Sequence, residues 1–230
     1  MLLYLIKKAY QQKNQIQNPF VEVTMKKVLF SLVVFSFLLT LAADIKLPAP
    51  QKTGGKSLME SLNARKTIRK YQAKELSMQE ISNLLWAACG VNRPDGKRTA
   101  PTAVNAQEIT LFVLLKKGSY RYDAAKNLLV EINKKDLRKL AAPRFEAPLT
   151  LIIASDTAKQ SRMKDMAKKI HYSDVDSGYV SQNIYLYCAS AGLGTVAIGG
   201  VADNGEVIRK ELGLGKSFYP VLGHAVGIPR

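Results

Sequence analysis

The run Leu149-Thr150-Leu151-Ile152-Ile153-Ala154, inside the segment Ala147 to Ser155, is almost unbroken in its apolar character. A strand with one wet face alternates apolar and polar residues, so a strand without that alternation is buried on both faces. Helices must therefore cover both sides of the sheet that holds it, giving three layers. The neighbouring segments supply the other strands. Glu108 to Leu115 is β-branched and aromatic and ends at Lys116-Lys117-Gly118, and Ser119 to Asp123 resumes with Tyr120 and Tyr122 in alternation, which predicts a hairpin. Leu128 to Ile132, Thr195 to Ile198 and Tyr219 to Gly227 are the remaining expected strands.

Helices are announced by their ends. Ser77-Met78-Gln79-Glu80 is a capping box, and Met78, Ile81, Leu84, Leu85 and Ala88 follow at three- and four-residue steps, with Trp86 beside that stripe. Gly90 is expected to stop this helix in a left-handed conformation. A short helix is expected just before Arg65, a basic one over about Lys134 to Ala141, and one over Glu206 to Leu212 capped by Asp203 or Asn204 and ended by Gly213. The longest runs from about Asp174 to Ala191. Val175, Tyr179, Ile184, Leu186, Tyr187 and Cys188 nearly surround it, which predicts a central, buried helix ended at Gly192. Val91 to Pro101 is rich in turn residues and cations and reads as a loop. No internal repeat or low-complexity tract divides residues 57 to 230, so one domain is expected there.

The N-terminal part reads differently. Met25-Lys26-Lys27, the apolar run Val28 to Leu41 and the small residues around Ala42-Ala43 have the form of a secretory signal over residues 25–42. The run is shorter than the roughly 20 residues that span a bilayer, so export with cleavage is expected rather than a stable membrane anchor. That places the mature protein outside the cytoplasm, in a periplasm. A cytoplasmic location is the alternative if the segment is not a signal. Residues 1–24 are read as an upstream extension and 43–56 as a linker. Removing residues 1–42 takes away five cations and one anion, so the net charge falls from +16 to +12. A field of that sign attracts nucleic acid, anionic surfaces and phosphorylated ligands alike. Cys89 and Cys188 lack metal-ligand spacing and read as buried thiols, with a disulfide as the alternative in an oxidising compartment. His171 reads as a surface residue and His224 as a satisfied core residue. No metal site and no HExxH, GxSxG or P-loop motif is present.

Arg65-Lys66-Thr67-Ile68-Arg69-Lys70-Tyr71 places four cations and a hydroxyl in seven residues. Arg offers a planar fork of donors, Lys a point charge and Thr a hydroxyl, a set able to hold a dianion from several sides. The competing reading is a solvated basic face. Two further pieces stand downstream: Ala100-Pro101-Thr102-Ala103-Val104-Asn105-Ala106-Gln107, and Gly194-Thr195-Val196-Ala197-Ile198-Gly199-Gly200. In order and spacing the three resemble the nitroreductase superfamily of flavin enzymes, and the likeness spans about Ser57 to Gly227. In that family an Arg-x-Ser/Thr-x-Arg element grips the FMN phosphate, a Pro-Ser-x-x-Asn-x-Gln loop approaches the flavin, and a Leu-Gly-Leu-Gly-Thr strand leads to backbone amides near the ring.

The resemblance implies an α+β fold with a mixed, mostly antiparallel sheet between helices, and a homodimer with FMN at the subunit interface. Arg65, Lys66 and Arg69 would neutralise the phosphate, and the Thr67 hydroxyl would bind a phosphate or ribityl oxygen. Pro101, Thr102 and Asn105 would line the flavin from the partner subunit, and Ile198, Gly199 and Gly200 would present backbone amides to N5 and the pyrimidine carbonyl. Taken alone, Gly199-Gly200 is also an ordinary turn, and Asn105 an N-cap or turn residue. Many relatives continue past the element that here reads Gly227-Ile228-Pro229-Arg230, so Arg230 either replaces their basic phosphate contact or is a frayed end. Thr102-Ala103 stands where relatives often carry two small hydroxyl residues.

The activity so implied is reduction of flat acceptors, nitroaromatics or quinones, by hydride passed through bound FMN from NADH or NADPH. It requires no catalytic acid or base from the protein. A substrate dehydrogenase or oxidase of the same superfamily is the first alternative. The second, a basic module binding nucleic acid or anionic surfaces, lacks stacking platforms, because only Tyr120-Arg121-Tyr122 interleaves aromatics with a cation.

Overall fold

The computed structural model describes residues 44–230 and, ahead of them, Lys8 alone. The signal and extension expected over residues 1–42 lie outside the described residues. Residues 44–230 form one compact unit. Its centre is a seven-stranded sheet of β1 (Ile45–Lys46), β2 (Ile109–Leu115), β3 (Gly118–Asp123), β4 (Leu128–Asn133), β5 (Leu149–Asp156), β6 (Gly194–Ile198) and β7 (Phe218–Gly227), in the order β1-β4-β3-β2-β5-β7-β6. Every pairing is antiparallel, where the sequence pointed to a mixed sheet.

The central pair is buried on both faces, as the apolar run required. With Leu111 opposite Ile153 and Val113 opposite Leu151, one set of side chains faces one way, and Phe112 and Leu114 with Ile152 and Ala154 face the other. The first face packs on α2 (Met78–Cys89) through Ile81, Leu84, Leu85 and Ala88 and on α4 (Met166–Ala191) through Val180, Ile184 and Cys188. The second meets Ala141 of the single-turn α3 (Arg138–Ala141) and Val201, Ile208 and Leu212 around α5 (Gly205–Glu211). Burying a Leu or Ile side chain contributes about 2 kcal/mol, so this double-sided packing fixes the frame on which the loops sit.

Both N-terminal helices begin with capping boxes: Ser57 with Glu60 for α1 (Leu58–Ala64) and Ser77 with Glu80 for α2. Gly90 ends α2 in extended backbone (φ −71°, ψ 161°), not left-handed. Its lack of a side chain matters for another reason, because a Cβ there would stand 2.6 Å from the Trp86 Cα. Gly192 is the left-handed stop of α4, at φ 72°. α4 itself begins at Met166, eight residues before the expected start. Asp165 caps it through the Ala167 amide, and its first two turns carry too few apolar residues to show a stripe. Nor is α4 buried all round: Tyr172, Val175 and Tyr179 are exposed on the face away from the sheet.

The expected basic helix shrinks to α3, because Asn133 accepts from the Lys135 amide and Asp136 from the Arg138 amide. Such side-chain bonds hold the preceding residues in turns. Residues 43–56, read as a linker, are built into the fold from Ile45 onward: β1 pairs with β4, Leu47 is buried, and Pro48 O accepts from Ser82 and Asn127. Cys89 and Cys188 are separate buried thiols, and burial pushes the Cys89 thiol up to about 11. Tyr120 and Tyr122 are buried, which removes the one interleaved aromatic pair from any stacking role.

Candidate functional site

The cationic segment starts where α1 stops. Arg65 closes the last turn by donating its amide to Ser61 O and, at φ −58° and ψ 122°, turns the chain into an extended path. That path runs along the outer edge of β6, where Ile68 N–H donates to Thr195 O at 2.9 Å. Gly194 permits the approach, since a Cβ there would lie 2.7 Å from Ile68 Cγ2. Ile68 packs inward with Val196 and Ala225. Arg65, Lys66 and Arg69 stay exposed and Thr67 half-buried. Among the described residues no carboxylate stands within ion-pair distance of Arg65, Lys66 or Arg69. Three cations without counter-charge, with a hydroxyl between them, form a donor set suited to a dianion.

Tyr185 of α4 joins this segment to the end of β6. Its hydroxyl oxygen accepts the Ala197 amide at 2.9 Å and stands 3.3 Å from Thr67 Oγ1, while the Arg65 guanidinium lies over its ring, 5.4 Å from the centroid. The ring meets His224 edge to face at 5.5 Å. His224 has its tautomer set by its neighbours. Thr195 Oγ1 gives its proton to Ala225 O, so it must accept from Nδ1–H, and Nε2 accepts from Ser181 Oγ at 2.8 Å. Burial holds this imidazole neutral, with its pKa pushed down to about 3.

Beyond Ala197 the strand delivers Ile198 into a 3₁₀ turn over Gly199–Val201. The first amides of such a turn have no partner within it. A Cβ at Gly199 would meet nothing within 4 Å, so the backbone is open to approach on that side. Arg230 is not frayed at its backbone: its N–H donates to Lys70 O, and Pro229 bridges Tyr71. The chain's last residue thus lies beside the cationic segment.

The loop bearing Pro101, Thr102 and Asn105 is elsewhere. It is pinned to α4 at Asp176, whose Oδ2 accepts the Ala103 amide at 2.8 Å. Asp176 and Tyr185 are nine residues apart on one helix, about 14 Å along its axis, so within one chain this loop does not meet Arg65. Val104, Asn105 and Gln107 all have left-handed backbone, at φ 51°, 53° and 50°. For β-branched Val104 that geometry is strained. Thr102 Oγ1 accepts the Gln107 amide, and Gln107 Nε2 donates to Gly96 O. Next to this turn Glu108 is fully buried, and neither carboxylate oxygen has a partner of fixed charge or donor among the described residues. Burial above all, and then the neighbouring Asp176 carboxyl, raises its pKa well above the carboxylate range, with Arg98 pulling weakly the other way. Two neighbouring carboxyl groups in a dry site favour keeping a proton on one of them.

The model of the nitroreductase family matches residues 62–228. The chain belongs to the nitroreductase family. It is an oxidoreductase by that membership. A Methanocaldococcus jannaschii protein named as a nitroreductase is 30% identical over 197 residues, covering 80% of this chain and 96% of its own. A crystal structure of a Ralstonia eutropha protein described as a nitroreductase superposes with a TM-score of 0.77 at 34% identity, covering 81% of this chain and 90% of the other. The FMN reductase [NAD(P)H] of Bacillus subtilis is 23% identical over 189 residues, 75% of this chain and 66% of that protein. The Ralstonia eutropha structure shares with this chain the nitroreductase-like α+β fold.

Sequence reasoning passed over Tyr185, Asp176 and Glu108. Tyr185 sits among residues that read as a core stripe, and nothing in its spacing marks it as the link between Arg65 and Ala197. Glu108 opens an apolar strand, and an acid at that position was the one available signal.

Proposed function

We propose that this nitroreductase-family chain binds FMN without a covalent bond and reduces flat acceptors such as nitroaromatics or quinones, with NADH or NADPH as donor. The observation that carries the reading is the joining, through Tyr185, of three unneutralised cations and the Thr67 hydroxyl to the open amides at the end of β6. A dianionic tail and a flat ring with a hydrogen-bonding edge match that pair of features. Arg65, Lys66, Arg69 and Thr67 would hold the phosphate, with Arg230 beside them. Ile198, Gly199 and Gly200 would face the ring edge. FMN, when bound, supplies the two-electron chemistry, and the residues around it hold it, orient its edge and stabilise negative charge.

The same reading makes the working unit a homodimer with Pro101, Thr102 and Asn105 reaching the partner's flavin. Two features support it: the loop lies about 14 Å along α4 from its own chain's cations, and Leu58 and Met59 of α1, Tyr179 of α4 and Val104 leave an apolar surface exposed. Export through residues 25–42 is part of the proposal. Among the described residues no helix is long and apolar enough to cross a membrane. The signal-like segment favours a second reading, a flavin-dependent substrate dehydrogenase or oxidase, because nicotinamide dinucleotides are scarce outside the cytoplasm.

The visible spectrum of purified protein reconstituted with FMN tests the cofactor, with retained flavin bands expected after desalting. Bleaching of those bands by NADH or NADPH is expected for the reductase. Bands that neither donor bleaches would select the dehydrogenase, and a colourless protein would end both readings.

A further inference from the structure

We propose that Tyr185 is a positioning residue of this site: its hydroxyl aims the Thr67 proton outward at a ligand phosphate oxygen, and its ring holds Arg65 in reach of the same group. The inference rests on the flavin reading above.

The argument turns on which of two hydroxyls donates to the other. A phenol has one proton and two lone pairs, and a threonine hydroxyl likewise. The Ala197 amide already occupies a lone pair of Tyr185, at 2.9 Å. Thr67 Oγ1, at 3.3 Å, is the other partner of that oxygen among the described residues. By count the two directions are equal, since each leaves one hydroxyl proton over. The amide bond that the phenol oxygen accepts polarises its O–H and makes it the better donor of the two, so the relay runs Ala197 N–H to Tyr185 O–H to Thr67 and leaves the Thr67 proton for a ligand. Each bond in such a relay polarises the next, so the terminal hydroxyl is a better donor to an anion than an isolated one.

The ring is fixed as well as the hydroxyl. It lies between the Arg65 guanidinium on its face, at 5.4 Å, and the neutral His224 imidazole at 5.5 Å. A cation over an aromatic face is attracted by the ring quadrupole, so a mobile surface arginine becomes a placed one. One side chain of α4 therefore sets both phosphate donors. It also ties them to Ala197, the residue before the amides proposed for the ring edge.

Titration of FMN into apoprotein, followed by quenching of flavin fluorescence, reads the effect without any turnover. Tyr185→Phe keeps the ring and removes the hydroxyl; its Kd for FMN is expected to rise about tenfold, the loss of one charge-assisted bond. Thr67→Val should lose a similar factor, and Thr67→Ser should bind like wild type. The deciding measurement is the double variant. If Tyr185 works through Thr67, adding Tyr185→Phe to Thr67→Val weakens binding by no more than about twofold. Losses that multiply instead would overturn the relay, because a merely structural tyrosine acts independently of Thr67. Thermal melts of the apoproteins confirm that each variant is folded. A wild-type chain that binds no FMN sinks the flavin reading and this inference with it. A wild-type chain that binds FMN, with Tyr185→Phe binding equally well, sinks this inference alone.

Discussion

The two parts of the candidate site are built by opposite means. Around Tyr185 nearly every polar group has a partner: Thr67 and Ala197 bond its hydroxyl, and its ring packs on His224, which is bonded in turn to Thr195 and Ser181. Around Asp176 the loop from Thr102 to Glu108 carries three left-handed residues that are not glycine and a buried carboxyl that needs a proton. The first part is a finished surface and the second is held in a costly shape by one helix residue. A turn kept in such a conformation persists only when its surroundings over-determine it, which is a common state for segments that contact a ligand or a partner.

Removing the pin should show the largest effect. Asp176→Ala leaves the buried Ala103 amide without its acceptor and lets go of the loop, and is expected to cost about 3 kcal/mol in urea unfolding. Asp176→Asn still accepts from Ala103 through its side-chain oxygen and keeps the side-chain volume, so it should be near neutral. On the other side, Arg65→Ala should weaken FMN binding by about 2 kcal/mol, or roughly thirtyfold, while the melting temperature barely moves. If it destabilised the fold instead, Arg65 would belong to the framework.

The two regions should also fail at opposite ends of the pH scale. His224 has a folded pKa depressed to about 3, so its contribution is intact above the unfolded value of 6.5 and is lost as pH falls toward 3. The expected slope is up to about 1.4 kcal/mol per pH unit, and His224→Gln should flatten that limb of the thermal melts. Glu108 has a raised folded pKa, so its contribution is full at acid pH and lost as pH climbs from the carboxylate range through neutrality. Glu108→Gln should remove that dependence, and Asp176→Asn should only lessen it, because burial is the larger cause. The smallest effect expected is that of Val104→Gly, which relieves a strained backbone position and should stabilise the apoprotein by about 1 kcal/mol in the same urea series.

The central layers were legible in the sequence because their signals are local. An unbroken apolar run, a capping box and a tyrosine alternation each name an element without reference to the rest of the chain. Helix α4 shows where that ends. Its first two turns, Met166 to Tyr172, are solvated and basic and show no stripe, and its apolar residues are shared between a buried face and an exposed one. A count of apolar residues cannot separate those two faces. The same holds for the site. The cluster from Arg65 to Arg69 and the glycines at 199 and 200 could be picked out as motifs, but Tyr185 gains its place from contacts outside its own helix, with Thr67, Ala197 and His224.

The lie of the cationic segment along β6 carries one more consequence. Of the two outermost strands of the sheet, β1 is only two residues long, and β6 is screened by the stretch that holds Ile68 against Thr195. Strand borders left bare recruit other molecules into aggregates. The stretch proposed to grip a phosphate therefore also acts as a guard rail. A protease nick between Arg65 and Lys70 should make the protein sticky as well as colourless, so solubility and cofactor retention are expected to fail together.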